Sequence, residues 1–309
     1  MTGYLCPVIA GPTAVGKTGL IVALAARYPV EVISLDSRQL YRGLHIGTAQ
    51  PSAEEQAACA HHLVDFLSPG DTYSAQRFRE DFQRVYGEIR AHDAIPVLVG
   101  GAGLYLTALR EGFFPIPEDA PDLDALRAEL DALDDETVRA RLLIADPDSH
   151  DRIHPHDRYR SQRALEILRL TGRTMTEIRA TREPDPSLGL SFPLVLLERD
   201  PEELRRRIAL RTMLMLETGW LEETTTLLQA HGPDVPGLKT LGYQELVRHL
   251  QGETTLAEAV DTIVRDTARY AKRQRTWFRR QEAAAAGHPD DPTILSAVTN
   301  LVARAATSE

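Results

Sequence analysis

Along the first third of the chain the apolar positions switch between two periods. Residues 5–10 are a short apolar run ending at a glycine, and residues 20–27 place their apolar side chains on one face of a helix. The run 31–36 (EVISLD) reads as a second strand, closing on Asp36 and Ser37. Ser74 is placed to cap a helix in which Phe78, Phe82, Val85 and Ile89 recur at spacings of four, three and four, a core-facing stripe. Residues 95–99 (IPVLV) form a third run, followed by glycines at 100, 101 and 103 and a predicted helix over 104–110. Strands alternating with helices predict an α/β protein with a parallel sheet.

The pattern then changes. Prolines and acids punctuate residues 115–121, and the chain to about 183 has helical periodicity with no convincing strand, which predicts a helical insertion. Strand character returns at 192–197, and Pro201 opens a helix predicted to run to about 218. A long helix is expected from 256 to about 281 and a short one over 294–305, with no element predicted in the alanine-rich stretch between them.

Composition narrows the class. A chain of 309 residues with 43% hydrophobic and 26% charged residues has room for a large α/β domain and an insertion. No apolar run approaches the roughly 18 residues that span a bilayer. The first residues carry no basic segment with an apolar h-region, so a cytoplasmic protein without membrane contact is expected. Cys6 and Cys59 lie far apart without metal-ligand spacing, and each is expected to be a small buried hydrophobe. The net charge of −10 argues against a nucleic-acid coat, yet basic residues crowd 152–182 and again 265–280, where Asp266 is the only acid. A local basic groove is compatible with that distribution.

Candidate chemistry begins with Gly11-Pro12-Thr13-Ala14-Val15-Gly16-Lys17-Thr18, which fits G-x-x-x-x-G-K-[ST] between a strand and a helix. In such a loop backbone N–H groups and the helix N-terminus cradle phosphate oxygens, Lys17 adds charge and the Thr18 hydroxyl can ligate Mg²⁺. Average composition would produce the pattern by accident in roughly one chain of this length in a hundred. The octet predicts a pyrophosphate site without saying whose pyrophosphate it is. A P-loop NTPase-like core is therefore expected over residues 1–114 and 187–309, interrupted by the helical insertion at 115–186.

Several further stretches, in order and spacing, resemble bacterial tRNA dimethylallyltransferases, also called tRNA isopentenyltransferases. They are GPTAVGKT (11–18), DSRQLYRGLHIGTAQPS (36–52), LVGGAGLY (98–105), RIHPHDRYRSQRALEI (152–167), RIALRTMLMLETGW (207–220), LGYQE (241–245) and KRQRTWFRR (272–280). The resemblance spans nearly the whole chain. It implies transfer of a dimethylallyl group from dimethylallyl diphosphate to N6 of adenosine 37, beside the tRNA anticodon, with Mg²⁺ assisting, by a protein expected to be monomeric.

On that reading the loop amides, Lys17, Thr18 with its metal and Arg211 stabilise the departing diphosphate, and Thr13 can donate a further hydrogen bond. Arg211 follows the family's diphosphate-binding arginine; otherwise it lies on a solvated helix face. The family's aspartate implies that Asp36 is the catalytic base that takes the N6 proton, with a metal-associated acid and a turn cap as rival roles. For tRNA contact the resemblance implies Asp36, Ser37, Arg38, Gln39 and position 102, with a second stretch at Tyr159, Arg160, Ser161, Gln162 and Arg163. The arginine-rich helix around Trp277 and Phe278 offers phosphate contacts, although both aromatics are expected to pack inside. Four positions depart from the family pattern: Ala102 replaces threonine, His156 asparagine, Arg38 methionine and Gln50 lysine. A kinase using the loop for ATP, and an RNA-binding protein using it as a nucleotide switch, remain as rivals.

Overall fold

The computed structural model describes residues 4–112, 122–181 and 189–307. It divides into two compact units, Met1–Arg110 with Pro186–Glu309, and Glu111–Asp185. The proline-rich stretch 115–121 and the domain boundaries expected at 114/115 and 186/187 lie outside the described residues.

In the first unit the strands are β1 (Tyr4–Leu5), β2 (Val8–Ala10), β3 (Val30–Leu35), β4 (His61–His62), β5 (Ile95–Gly100), β6 (Leu190–Ser191), β7 (Leu194–Leu197) and β8 (Ala285–Gly287). Six of them form one sheet in the order β4-β3-β5-β2-β7-β8, with every pair parallel, and β1 pairs with β6 beside it. Helices precede or follow these strands as α1 (Lys17–Ala25), α2 (Ala53–Ala58), α3 (Ala75–Arg90) and α4 (Gly103–Glu111). The second unit carries α5 (Leu123–Asp131), α6 (Asp135–Ala145), α7 (Pro147–Arg152), α8 (Arg158–Thr171) and α9 (Met175–Ala180), with no strand among its described residues. The first unit resumes with α10 (Pro201–Glu217), α11 (Trp220–His231), α12 (Tyr243–Leu250), α13 (Leu256–Phe278) and α14 (Pro292–Thr307).

Burial follows the apolar patterning. β2, β5 and β7 are buried almost throughout, as strands covered by helices on both faces must be. Ile21 and Leu24 of α1 pack with Val298 and Val302 of α14 against Ile9, Val97 and Val195 of the sheet. Ser74 caps α3 by accepting from the Arg77 N–H, and Phe78, Phe82, Val85 and Ile89 are all buried. Phe78 stacks on Tyr105 of α4 at 4.3 Å between ring centroids. Both cysteines are buried and free. No helix among the described residues is long and apolar enough to cross a membrane.

Two predicted elements need correction. The strand expected over 192–197 begins only at Leu194, because Pro193 has no N–H to give a ladder; its carbonyl accepts from Val8 instead. The alanine-rich stretch left without an element supplies β8, which pairs Val195 with Ala285 and Leu197 with Gly287. Propensity could not identify it: small residues are poor strand formers, and this one pairs along the free edge of β7. A Cβ on Gly287 would lie 3.1 Å from Ile294 of that helix.

Candidate active site

The loop 11–18 leaves β2 and enters α1 at the carboxyl end of the sheet, where ligands of such sheets gather. Backbone crowding explains its glycines: a Cβ on Gly11 would sit 2.7 Å from the Leu197 carbonyl oxygen, and Gly16 has φ of +110°. Ala14 also takes a left-handed φ of 64°, so the turn carries local strain. No side chain caps α1 and its first turn has no acid, which leaves the N-terminal amides available to an anion.

Cations of α1, of α10 and of the segment before it, with one amide of α13, fix the loop. Arg207 Nε donates to the Ala14 carbonyl at 2.9 Å, and Arg211 Nη2 donates to Thr13 Oγ1 at 2.6 Å. Lys17 Nζ folds back onto the Gly11 and Pro12 carbonyls, 3.1 Å from each. Arg199 reaches the Val15 carbonyl at 2.7 Å while pairing with Glu203 and Asp290. Gln274 is buried; its Oε1 accepts from the Thr13 N–H at 2.9 Å and its Nε2 donates to the Gly101 carbonyl at 3.0 Å. This explains the glycines after β5, since a Cβ on Gly101 would lie 2.1 Å from Gln274 and one on Gly103 would overlap Trp277.

Thr13 to Thr18, Arg207, Arg211 and Gln274 line a cleft of about 490 Å³ together with Asp36, Gln39, Thr48 and Leu210. Loss of hydration lowers the Lys17 pKa to about 8; Asp36 opposes the shift and Arg211 adds to it. Burial likewise lowers the Arg211 pKa, against the attraction of Asp36. Asp36 follows β3, and its Oδ1 accepts from the Arg38 N–H at 2.8 Å. That turn-cap contact occupies one carboxylate oxygen with a neutral donor. A carboxylate facing lysine and arginine beside an open helix terminus can hold an anion and accept a proton nearby.

Its neighbours divide by role. Ser37 is exposed, and the Arg38 guanidinium lies 4.1 Å above the Tyr270 ring, a cation–π contact. Gln39 turns inward, accepting from Ser34 Oγ at 3.0 Å and donating to the Ala49 carbonyl at 2.7 Å. Gln50 donates to the Gln39 and Tyr41 carbonyls and so pins the same loop. Ala102 is half-buried, its N–H bonded to the Leu35 carbonyl at 2.9 Å. Phe278 is buried as expected, and Trp277 is half-buried against Gly103.

The second stretch lies on α8, in the other unit. Tyr159 is 76% exposed and Arg160 is exposed with an ion pair to Asp157. Gln162 bonds to Asp131 at 3.0 Å and Arg163 to Glu166 at 2.7 Å. Ser161 corrects the expectation of a surface contact: it is fully buried, and its hydroxyl donates to the Asp157 carbonyl at 2.9 Å, one turn back on its own helix.

Sequence reasoning missed Gln274, hidden among arginines, and the block that shapes residues 45–47. Glu223 accepts from the His45 and Ile46 N–H groups at 3.0 and 2.9 Å, and Tyr243 Oη donates to Glu223 at 2.5 Å while accepting from Gly47 at 3.0 Å. A Cβ on Gly47 would lie 2.1 Å from Trp220. Burial, then Glu223, push the Tyr243 pKa far up. The motifs GLHIGT, ETGW and LGYQE carry His45, Ile46, Gly47, Trp220 and Tyr243; Glu223 lies outside them.

Comparison with known proteins follows the same outline. Residues 39–281 match the family model described as IPP transferase, and residues 5–65 match Isopentenyl transferase. A tRNA dimethylallyltransferase of Cyanothece sp. is 40% identical, covering 93% of each chain. The solved tRNA isopentenylpyrophosphate transferase of Bacillus halodurans superposes with a TM-score of 0.68 at 35% identity, over 98% of this chain and 97% of that one. A eukaryotic dimethylallyltransferase solved while acting on tRNA gives 0.80 at 26% identity, over 93% of this chain and 74% of that one.

Proposed function

The chain belongs to the IPP transferase family of tRNA dimethylallyltransferases, and from that premise we propose how its cleft performs the family reaction: dimethylallyl transfer from dimethylallyl diphosphate to N6 of adenosine 37 in tRNA. The N6 lone pair forms a bond to the allylic carbon, the carbon–oxygen bond breaks with its electrons leaving on diphosphate, and the N6 proton passes to Asp36. The products are N6-(dimethylallyl)adenosine and diphosphate.

In this reading the α1 amides, Lys17 and Arg211 hold the diphosphate as charge grows on its oxygens. Lys17 exchanges its loop carbonyls for phosphate, and Thr13, already bonded to Arg211, keeps that guanidinium beside the leaving group. The described residues contain no cluster of three His, Cys, Asp or Glu side chains, but the Thr18 hydroxyl puts a hard oxygen on the cleft beside the diphosphate site. That donor set fits Mg²⁺, which takes most of its ligands from phosphates and water. Bound Mg²⁺ would neutralise charge on the diphosphate oxygens. Ser37, Arg38 and Gln39, the position of Ala102 and the exposed side chains of α8 are the proposed tRNA contacts. Free tRNA and a water-soluble donor put the reaction in the cytoplasm.

The observation carrying this reading is that Asp36 lines the same cleft as Lys17 and Arg211 and lies within their electrostatic reach. Incubation with labelled dimethylallyl diphosphate or labelled ATP, with and without unmodified tRNA, tests it. Mass spectrometry is expected to find prenylated adenosine 37 only with the allylic donor and tRNA. ATP hydrolysis without RNA modification would return the kinase reading; RNA binding governed by nucleotide, without modification, would return the switch.

A further inference from the structure

Two arginines hold carbonyls of the phosphate loop, and the consequences for its amides differ. Arg207 holds the Ala14 carbonyl, but the next amide, Val15 N–H, is already bonded to the Pro12 carbonyl at 3.3 Å. Arg199 Nε holds the Val15 carbonyl at 2.7 Å, and the next amide, Gly16 N–H, has no partner among the described residues. The Val15–Gly16 peptide is trans, so its C=O and N–H point in opposite directions. Drawing the carbonyl onto Arg199 therefore turns the Gly16 N–H the other way. One side of Gly16 is closed, since a Cβ there would lie 3.5 Å from Pro289 and 3.6 Å from Arg199. The cleft, which Gly16 also lines, is the space left to that amide.

Arg199 itself lies outside the cleft lining. Its side chain is 8% exposed and paired with Glu203 and Asp290, so its charge is compensated where it is buried. What it gives the loop is direction. Its Nη1 also donates to His288 Nε2 at 2.8 Å, and because a guanidinium only donates, that ring nitrogen must carry a lone pair. Glu203 stands in the first turn of α10, while His288 and Asp290 stand between β8 and α14. The β7–β8 ladder delivers that turn: Leu197 pairs with Gly287, and the Glu198 N–H donates to the Gly287 carbonyl at 2.8 Å. Resting on the reading in which the loop holds the donor's diphosphate, we propose that Arg199 is a positioning residue, bracketed by α10 and the β8–α14 turn. It aims the Gly16 N–H at the diphosphate without touching the anion.

Titration of the full-length protein with inorganic diphosphate and Mg²⁺, with the Gly16 amide followed by NMR, tests the proposal. In wild type the Gly16 amide proton is expected to move downfield on saturation, as an amide does on gaining an anionic acceptor. Arg199→Ala is expected to reduce that displacement by about half or more and to raise the Kd for inorganic diphosphate about 10-fold. Donor kcat/KM should fall in step, with the tRNA KM within about 2-fold of wild type. Arg199→Lys, which keeps the charge and loses the planar fork, should bind nearly as weakly as Arg199→Ala. His288→Ala leaves both ion pairs and folds more safely; it should raise the Kd about 3-fold with a smaller Gly16 displacement. Wild-type affinity in Arg199→Lys would overturn the proposal by showing that charge alone acts. So would a Gly16 amide that saturating diphosphate leaves in place, or one that moves equally in wild type and Arg199→Ala. Wild type that shows the Gly16 displacement yet prenylates no tRNA would uphold the bracket and overturn the prenyl-transfer reading, which separates the two failures.

Discussion

The cleft beside the phosphate loop and the exposed face of α8 are both rich in cations, and they use them in opposite ways. In the cleft Lys17, Arg207 and Arg211 donate to oxygens of the loop itself, and none of these bonds goes to a carboxylate. On α8 Arg160 pairs with Asp157, Arg163 with Glu166, and Arg158 with Asp135 and three backbone carbonyls. A cation held by a neutral carbonyl keeps its charge for an arriving anion, whereas one held by a carboxylate is largely neutralised. Positive charge counted along a sequence therefore overstates the second region as an anion site and understates the first.

The contrast is sharpest at Asp36, the one carboxylate among the described residues that line the cleft. Asp36→Ala is expected to lower the single-turnover rate by about 10²-fold or more while inorganic diphosphate still binds. An unchanged rate would remove its role as base. Lys17→Ala comes next, raising the Kd for inorganic diphosphate by about 10- to 100-fold in direct titration. Its pH dependence has a defined sign: the lowered pKa means that Lys17 loses its proton as pH rises through about 8, so donor affinity should fall above that pH. Lys17→Arg should carry the fall to higher pH. Flat affinity from pH 7 to 10 would show that the lysine charge does not serve the anion.

Gln274→Ala is expected to act more mildly, raising donor KM about 3- to 10-fold by freeing the Thr13 amide and the Gly101 carbonyl. Gln274→Glu, which retains an acceptor for Thr13, should lose less at low pH than at high. On α8, Tyr159→Ala with Arg160→Ala should raise tRNA KM only a few-fold at physiological salt. A loss as large as that at Lys17 would break the contrast between the two regions. The smallest effect is expected at the sheet edge, where Glu31 accepts from His62 at 2.6 Å and His92 at 2.7 Å.

Burial opposes the ionised form of Glu31, but its bonds to His92 and His62 prevail and lower the pKa; the same bond raises that of His92. A depressed carboxylate stabilises above its unfolded value and loses this as pH falls. A raised histidine stabilises below its own unfolded value and loses this as pH rises through the folded one. Glu31→Gln should therefore lower Tm by about 1–2 °C, most clearly between about pH 4.5 and 6.5. An equal loss at pH 8 would point to packing instead.

The amino-acid sequence alone determined the alternation of buried strands and helices, the phosphate loop and the position of Asp36 at a strand end. Those features depend on local periodicity and local backbone geometry, which a short window of residues contains. Tertiary structure decided the rest. β8 forms only because β7 offers an edge, Gln274 acts only because α13 crosses the loop, and Glu223 shapes residues 45–47 from nearly 180 positions away. Gln274 meets Thr13 across 261 positions because its partner is chosen by which backbone passes within reach, and no pattern of neighbours along the chain encodes that distance.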